Sequence, residues 1–280
     1  LEAARVSAER GHQVVLFEAS GSLGGQIQLA ARAGWRKDML GIADWLASEA
    51  ERLGVDVRQN QYAEAEDVLK ERPDVVVVAS GGVPLMELPQ GGGELAVSCW
   101  DVLGGHVEVG NNVLVYDETG DHAGIATADW LAERTDTLTF ATPDRVAGQG
   151  IGGINYPVYM RNLFARGAKL TPDHRLFGLE AGGNQIVARF KDVYQREALE
   201  CAFDQVVLVL GTDPVDEVYQ GLMIQSINQG ELDLESLSVA RQQPAESVED
   251  GFRLYRVGDA VAGRNIHAAL YDAHRLCVNL

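Results

Sequence analysis

Asp74-Val75-Val76-Val77-Val78-Ala79, running on into Ser80-Gly81-Gly82-Val83-Pro84, decides the fold class. Four successive valines leave no polar alternation, so a strand built from them must bury both faces, and the glycines and proline behind them turn the chain out of the sheet. Burial on both faces predicts a parallel sheet covered by helices. The flanking sequence agrees. Leu1–Arg10 sets Leu1, Ala4 and Val6 at helical spacing until Gly11 stops the run, and His12–Glu18 then reads as a buried strand emptying into Ala19-Ser20-Gly21. Asp38–Leu53 carries Leu40, Ile42, Trp45, Leu46, Ala50 and Leu53 on one side of a helix closed by Gly54. Val55–Arg58 follows as a short strand and Glu64–Glu71 as a short helix.

The pattern then restarts. Asn112–Tyr116 reads as a strand, Gly124–Arg134 as a helix and Thr137–Phe140 as a strand, in the order of the opening. Phe203–Leu210 repeats the valine-rich run, and Gly211-Thr212-Asp213-Pro214 repeats Ser80–Pro84 in kind. Leu254–Asp259 returns to complete the first sheet. The expected class is therefore α/β, with two dinucleotide-binding (Rossmann-like) units, the second inserted in the first: residues 1–107 and 211–280 enclose residues 108–210. Because the chain opens in mid-helix, further residues are expected upstream of Leu1.

The chain has 280 residues, with 23 Lys plus Arg against 41 Asp plus Glu and a formal charge of −18. So acidic a surface repels phosphate backbones and anionic lipid, which argues against nucleic acid and membrane as partners. The longest apolar runs, Val75–Ala79 and Val206–Leu210, fall far short of the roughly 20 residues that span a bilayer. Cys99, Cys201 and Cys277 stand far apart, with neither the CxxC pairing of a redox disulfide nor the clustering of an iron–sulfur site. A reducing, cytoplasmic location fits that usage. His12, His106, His122, His174, His267 and His274 lack metal-ligand spacing, and Tyr156, Tyr159 and Phe164 read as core or interface residues.

Three groups point to nucleotide chemistry. Glu18 ends the second strand expected of a dinucleotide fold, where a carboxylate accepts from adenosine ribose hydroxyls; a solvated strand-end acid is the plainer alternative. Gly24-Gly25-Gln26 lets backbone amides approach a pyrophosphate, or is an ordinary glycine turn. Gly258-Asp259-Ala260, followed by Arg264-Asn265-Ile266-His267 opening a helix, sets an acceptor for a polyol hydroxyl beside a helix N-terminus, or simply caps that helix.

Together, Leu1-Glu2-Ala3-Ala4-Arg5, Val15-Leu16-Phe17-Glu18, Leu23-Gly24-Gly25-Gln26, Ala79–Pro84 and Val257-Gly258-Asp259-Ala260 resemble the flavoproteins with two dinucleotide-binding domains. Gly24–Ala30, Gly41–Leu46 and Asn265–Arg275 are more narrowly similar to the C-terminal half of the multidomain NADH:flavin oxidoreductases. That group includes the trimethylamine, dimethylglycine and histamine dehydrogenases, N-methylproline demethylase and 2,4-dienoyl-CoA reductase.

The resemblance implies FAD, or ADP in its place, on this half, with FMN, a 4Fe-4S cluster and the substrate site in an N-terminal barrel portion of the same enzyme. It also implies amine or N-methyl amino acid oxidation, an electron-transfer flavoprotein as external acceptor, and a homo-oligomer. Glu18 would hold the ribose, Gly24, Gly25 and Gln26 the adenosine side, and Ala79, Ser80, Gly81 and Gly82 the pyrophosphate approach. Gly258 and Asp259, with the helix opening at Asn265 and Ile266, would hold the ribityl diphosphate. No catalytic residue and no metal ligand is assigned to this chain. One departure stands out: where the inserted unit should carry a glycine fingerprint, the residues are Asp117-Glu118-Thr119-Gly120-Asp121-His122-Ala123-Gly124. Three acids in that loop are expected to repel a nicotinamide dinucleotide. The alternatives are an NAD(P)H-dependent reductase of the dienoyl-CoA type and a nucleotide-binding structural module without electron transfer.

Overall fold

A computed structural model of the chain describes residues 1–194, 198–243 and 251–280. The chain begins with α1 (Glu2–Glu9), β1 (Val15–Phe17), α2 (Ile27–Ala30), α3 (Leu40–Arg52), β2 (Asp56–Arg58), α4 (Ala65–Lys70), β3 (Val75–Val78) and β4 (Gly82–Pro84). It continues through β5 (Val97–Ser98), α5 (Cys99–Gly104), β6 (Asn112–Asp117), α6 (His122–Leu131), β7 (Thr137–Ala141), α7 (Tyr156–Ala165) and β8 (Lys169–Thr171). Then come β9 (His174–Gly182), β10 (Gln185–Asp192), β11 (Ala198–Phe203), β12 (Gln205–Val209), β13 (Thr212–Pro214), α8 (Glu217–Met223), α9 (Leu234–Ser238), β14 (Arg253–Arg256) and α10 (Ile266–Cys277).

Two compact units result: residues 1–28, 39–83 and 212–280 form the first, and residues 29–38 and 84–211 the second. In the first, β1 pairs in parallel with β2 and β3 in parallel with β14. The valines of β3 alternate between half-buried and buried, as a strand with apolar cover on both sides must. Val76 and Val78 pack with Tyr219 and Leu222 of α8, while Val75 and Val77 lie against the cluster of Val6, Tyr255 and Leu276 that joins α1 to α10.

In the second unit, among the described residues, the parallel strands run in the order β5-β12-β6-β7-β8. Val113, Val115, Val207 and Val209 face α6 and α7 through Ile125, Leu131, Tyr159 and Leu163. Leu114, Tyr116, Val206 and Leu208 face the other way, onto an antiparallel meander β9-β10-β11. The hydrophobic pattern of the sequence does not reveal that meander.

The lower boundary of the second unit also differs from the expected residue 108. It lies at Pro84, because β5 adds to the sheet edge beside β12 and Cys99, Val102 and Leu103 of α5 are buried. α5 is fixed locally by a capping box, Ser98 Oγ accepting from Asp101 N–H at 3.1 Å and Asp101 Oδ2 accepting from Ser98 N–H at 3.0 Å. Residues 29–38, assigned by sequence to the first unit, likewise belong to the second. Among the described residues no helix is long and apolar enough to cross a membrane.

Candidate functional site

In parallel α/β sheets ligands bind beyond the carboxyl ends of the strands. In the first unit those ends deliver Glu18 after β1, Ala79 after β3, and Gly258 and Asp259 after β14. Gly258 takes φ +62°, a left-handed turn that a side chain would strain, and so swings Asp259 out of the strand line. The carboxylate is then held from two sides: Gln26 Nε2 donates to Oδ2 at 2.9 Å and Arg264 N–H donates to Oδ1 at 3.1 Å. Sequence positions 26 and 259 thus meet directly. Behind them α10 starts with Asn265, whose Oδ1 accepts from Ala268 N–H at 2.9 Å, and Ile266 is its first helical residue. Capping fixes the helix end and aligns the amides of its first turn.

The glycine pair adopts left-handed conformations, φ +106° at Gly24 and +53° at Gly25. A Cβ on Gly24 would lie 2.7 Å from that of Ala43, whereas one on Gly25 would meet nothing within 4 Å. Gly24 is therefore occupied in packing against α3, and Gly25 offers open backbone. Glu18 is half-buried, and its Oε1 accepts from both Ser20 N–H (2.8 Å) and Ser20 Oγ (2.9 Å), which fixes the carboxylate at the strand end.

Ala79, Ser80, Gly81 and Gly82 are tied elsewhere: the Ser80 hydroxyl donates to the Val215 carbonyl, and Val215 N–H to the Gly81 carbonyl at 3.0 Å. Thr212 lies beside both Gly82 and Gly263. Gly82 presses on Asp213, where a Cβ would lie 2.6 Å from the carbonyl oxygen, and Gly263 presses on the Thr212 hydroxyl.

The acids of the 117–121 loop, expected to repel a nicotinamide dinucleotide, are each held by a contact within the protein. Asp117 is fully buried, its Oδ1 accepting from Thr119 N–H (2.9 Å) and Thr119 Oγ1 (2.6 Å), while its Oδ2 has no partner among the described residues. Burial pushes its carboxyl up to about 6. Glu118 Oε1 accepts from the Tyr116 hydroxyl at 2.7 Å and lies 3.7 Å from Arg175, and Asp121 caps α6 by accepting from His122 N–H at 2.6 Å. Each acid has a structural partner. The Asp117 side chain fills the space beside Gly124, the third residue of α6.

No family model matches the chain. It is 43 % identical over 277 residues to a probable N-methylproline demethylase of Rhizobium meliloti, an alignment covering 99 % of this chain and 41 % of that protein. It is 41 % identical over 289 residues to an N,N-dimethylglycine/sarcosine dehydrogenase of Chromohalobacter salexigens, covering 99 % and 42 %. The chain is homologous to one portion of these demethylases and dehydrogenases. It spans about two-fifths of their length. The fold matches that of histamine dehydrogenase from Rhizobium sp. 4-9 with a TM-score of 0.83 at 19 % identity, over 100 % of this chain and 42 % of that one.

Against these demethylase and dehydrogenase relatives the resemblance read from the motifs stands, while the contacts of Asp117 had to come from three dimensions. Among the described residues no cluster of His, Cys, Asp and Glu could hold a metal. The close fit of Asp117 under α6 has a direct consequence. Gly124→Ala would drive its Cβ into the Asp117 carboxyl, and overpacking of this kind destabilises by about 1 to 3 kcal/mol. Urea unfolding should show that loss, and a much smaller one when Gly124→Ala is placed in an Asp117→Ala background. Equal losses in the two backgrounds would place the strain elsewhere.

Proposed function

We propose that the chain is the nucleotide-binding part of a flavin-dependent oxidoreductase that oxidises amines or N-methyl amino acids, with FAD, or ADP in its place, on the first unit. The observation that carries this reading is the meeting of Gln26 with Asp259 at the capped start of α10. A carboxylate that accepts ligand hydroxyls, open backbone at Gly25 and an aligned helix N-terminus are the three things a flavin diphosphate or ADP requires, and they come from well-separated sequence segments of one unit. The relatives' names, a demethylase and a dimethylglycine/sarcosine dehydrogenase, support the substrate class.

In this reading Glu18 accepts from the ribose, the Gly25 amide approaches the diphosphate, and Asp259 accepts from the ribityl chain of FAD. Ala79–Gly82 is assigned to the approach of the diphosphate. A bound flavin supplies a centre that takes up and passes on electrons. Substrate oxidation belongs to an N-terminal FMN-barrel portion carrying a 4Fe-4S cluster, electrons leave to an electron-transfer flavoprotein, and the whole is a cytoplasmic homo-oligomer. Free thiols at Cys99, Cys201 and Cys277 support the reducing location.

A visible flavin band from the purified chain tests FAD against ADP, since ADP gives none. Glu18 gives a sharper test. Its carboxylate, fixed by Ser20, would repel a 2′-phosphate. Calorimetric titration should show ADP binding at least tenfold tighter than its 2′-phosphorylated analogue; equal affinities would remove the ribose role from Glu18.

A second reading, an NAD(P)H-dependent reductase, is favoured by one observation: the acids of the 117–121 loop are turned into structural contacts instead of toward a ligand. Rapid reduction of the bound flavin by NADH would select it.

A further inference from the structure

Leu29–Asp38 lies in sequence between two parts of the first unit yet packs into the second. Ala31 and Ala33 are buried, and Ala33 joins the apolar cluster of Ile125, Tyr159 and Leu163. The chain then runs through a 3-10 turn, Gly34–Met39, that brings two side chains onto α7. Trp35 sets its ring against that of Tyr159, centroids 5.1 Å apart at 62°. Arg36 Nη1 donates to the Tyr159 hydroxyl at 2.9 Å, and the same hydroxyl lies 3.2 Å from His122 Nδ1. Burial and the Arg36 charge hold the His122 imidazole below its ordinary value. A neutral ring lets Nδ1 accept the hydroxyl proton while the hydroxyl oxygen accepts from Arg36. One tyrosine oxygen therefore fastens both partners.

The place fastened is the edge where this sheet would take a ligand. His122 is the first residue of α6, which follows β6; β6 lies at the centre of the sheet, with β7 on one side and β12 on the other. The strand order reverses there, the arrangement at which doubly wound sheets bind nucleotides. We propose that Leu29–Asp38 is a latched cover on the carboxyl edge of the second unit, held shut by the Tyr159 hydroxyl between Arg36 and His122. The proposal rests on the reading of this unit as a dinucleotide fold that is not serving nicotinamide in its closed state. The cover is built to open: its buried apolar groups are two alanines, Trp35 stays 39 % exposed, and Arg32, Lys37 and Asp38 face water. Segments with so little buried apolar surface open locally well below the global unfolding free energy.

Tyr159→Phe in the full chain keeps the ring and every tryptic site of the cover (Arg32, Arg36, Lys37) while removing the latch oxygen. The expected result is at least tenfold faster tryptic cleavage within residues 29–38, unchanged hydrogen-exchange protection of β6, β7 and β12, and at least fivefold tighter NADH binding by calorimetry. ADP affinity at the first unit should not change; wild type failing to bind ADP would sink the nucleotide reading and leave the cover standing. Unchanged cleavage overturns the latch, and faster cleavage without tighter NADH binding overturns the cover. If Tyr159→Phe also loses protection in β6, Arg36→Gln, which leaves the buried ring intact, decides by the same two criteria.

Discussion

Asp259→Ala is expected to weaken FAD binding about 10- to 150-fold, the equivalent of the roughly 1.5 to 3 kcal/mol that a hydrogen bond to a charged group contributes. The fold should survive. The two hydrogen bonds that the substitution removes within the protein, from Gln26 and from Arg264 N–H, lie at a half-exposed turn where water can replace them. Calorimetry with FAD and a thermal scan on the same sample separate the two effects. An unchanged dissociation constant would show that the Gln26–Asp259 pair is a structural brace, and a collapse of the melting transition would show the same by another route.

Asp117→Asn should stabilise the protein, and only above acid pH. In the folded chain the Asp117 carboxyl sits at about 6 against an ordinary value of 3.8, because burial opposes its charge and Oδ2 has no partner among the described residues. The folded state therefore holds this proton more tightly than the unfolded state. Wild-type stability falls from this source as pH rises from about 4 through 6, and is level above about 7. Asparagine keeps an oxygen for Thr119 and carries no charge. The gain of the variant over wild type should grow from near zero at pH 4 to about 3 kcal/mol at pH 7.5, from two pKa units at about 1.4 kcal/mol each. Urea midpoints at the two pH values read it. A difference that does not change with pH would mean that Asp117 is not ionising in the fold.

The parts of the fold that were legible in sequence are those whose burial is two-sided. Val75–Val78 and Val206–Val209 can be satisfied only inside a parallel sheet, and both lie there. The meander β9-β10-β11 escapes the sequence pattern because its strands mix buried, half-exposed and exposed positions with charges such as Arg189, Glu180 and Glu200, which pair across its surface. A signal existed in Gly183-Asn184, the two residues between β9 and β10, with Gly183 at φ +70°. The unit boundary was misplaced for a different reason: β5 has two residues, too few to show any period.

The candidate site divides along the same line. Gly258, Asp259 and Asn265 are close in sequence and could be read as one group, whereas the partner of Asp259 at Gln26 emerges only when β1 and β14 are laid in their unit. Tyr159 read as core, which is correct for its ring. Nothing in the spacing of Arg36, His122 and Tyr159 hints that one hydroxyl joins them.

The pairing of β3 with β14 also bears on biosynthesis. Val75 waits for Arg253, and Val78 for Arg256, so the partner of the four-valine strand leaves the ribosome only after the whole of the second unit has been made. The second unit draws on an almost continuous stretch and can assemble first. The first cannot close until β14 has been made, and through that interval it carries an apolar strand, free of charge and of proline, with an open hydrogen-bonding edge. The excess of acidic over basic residues, 41 against 23 in the full sequence, supplies a mutual repulsion that disfavours association while that edge is unpaired.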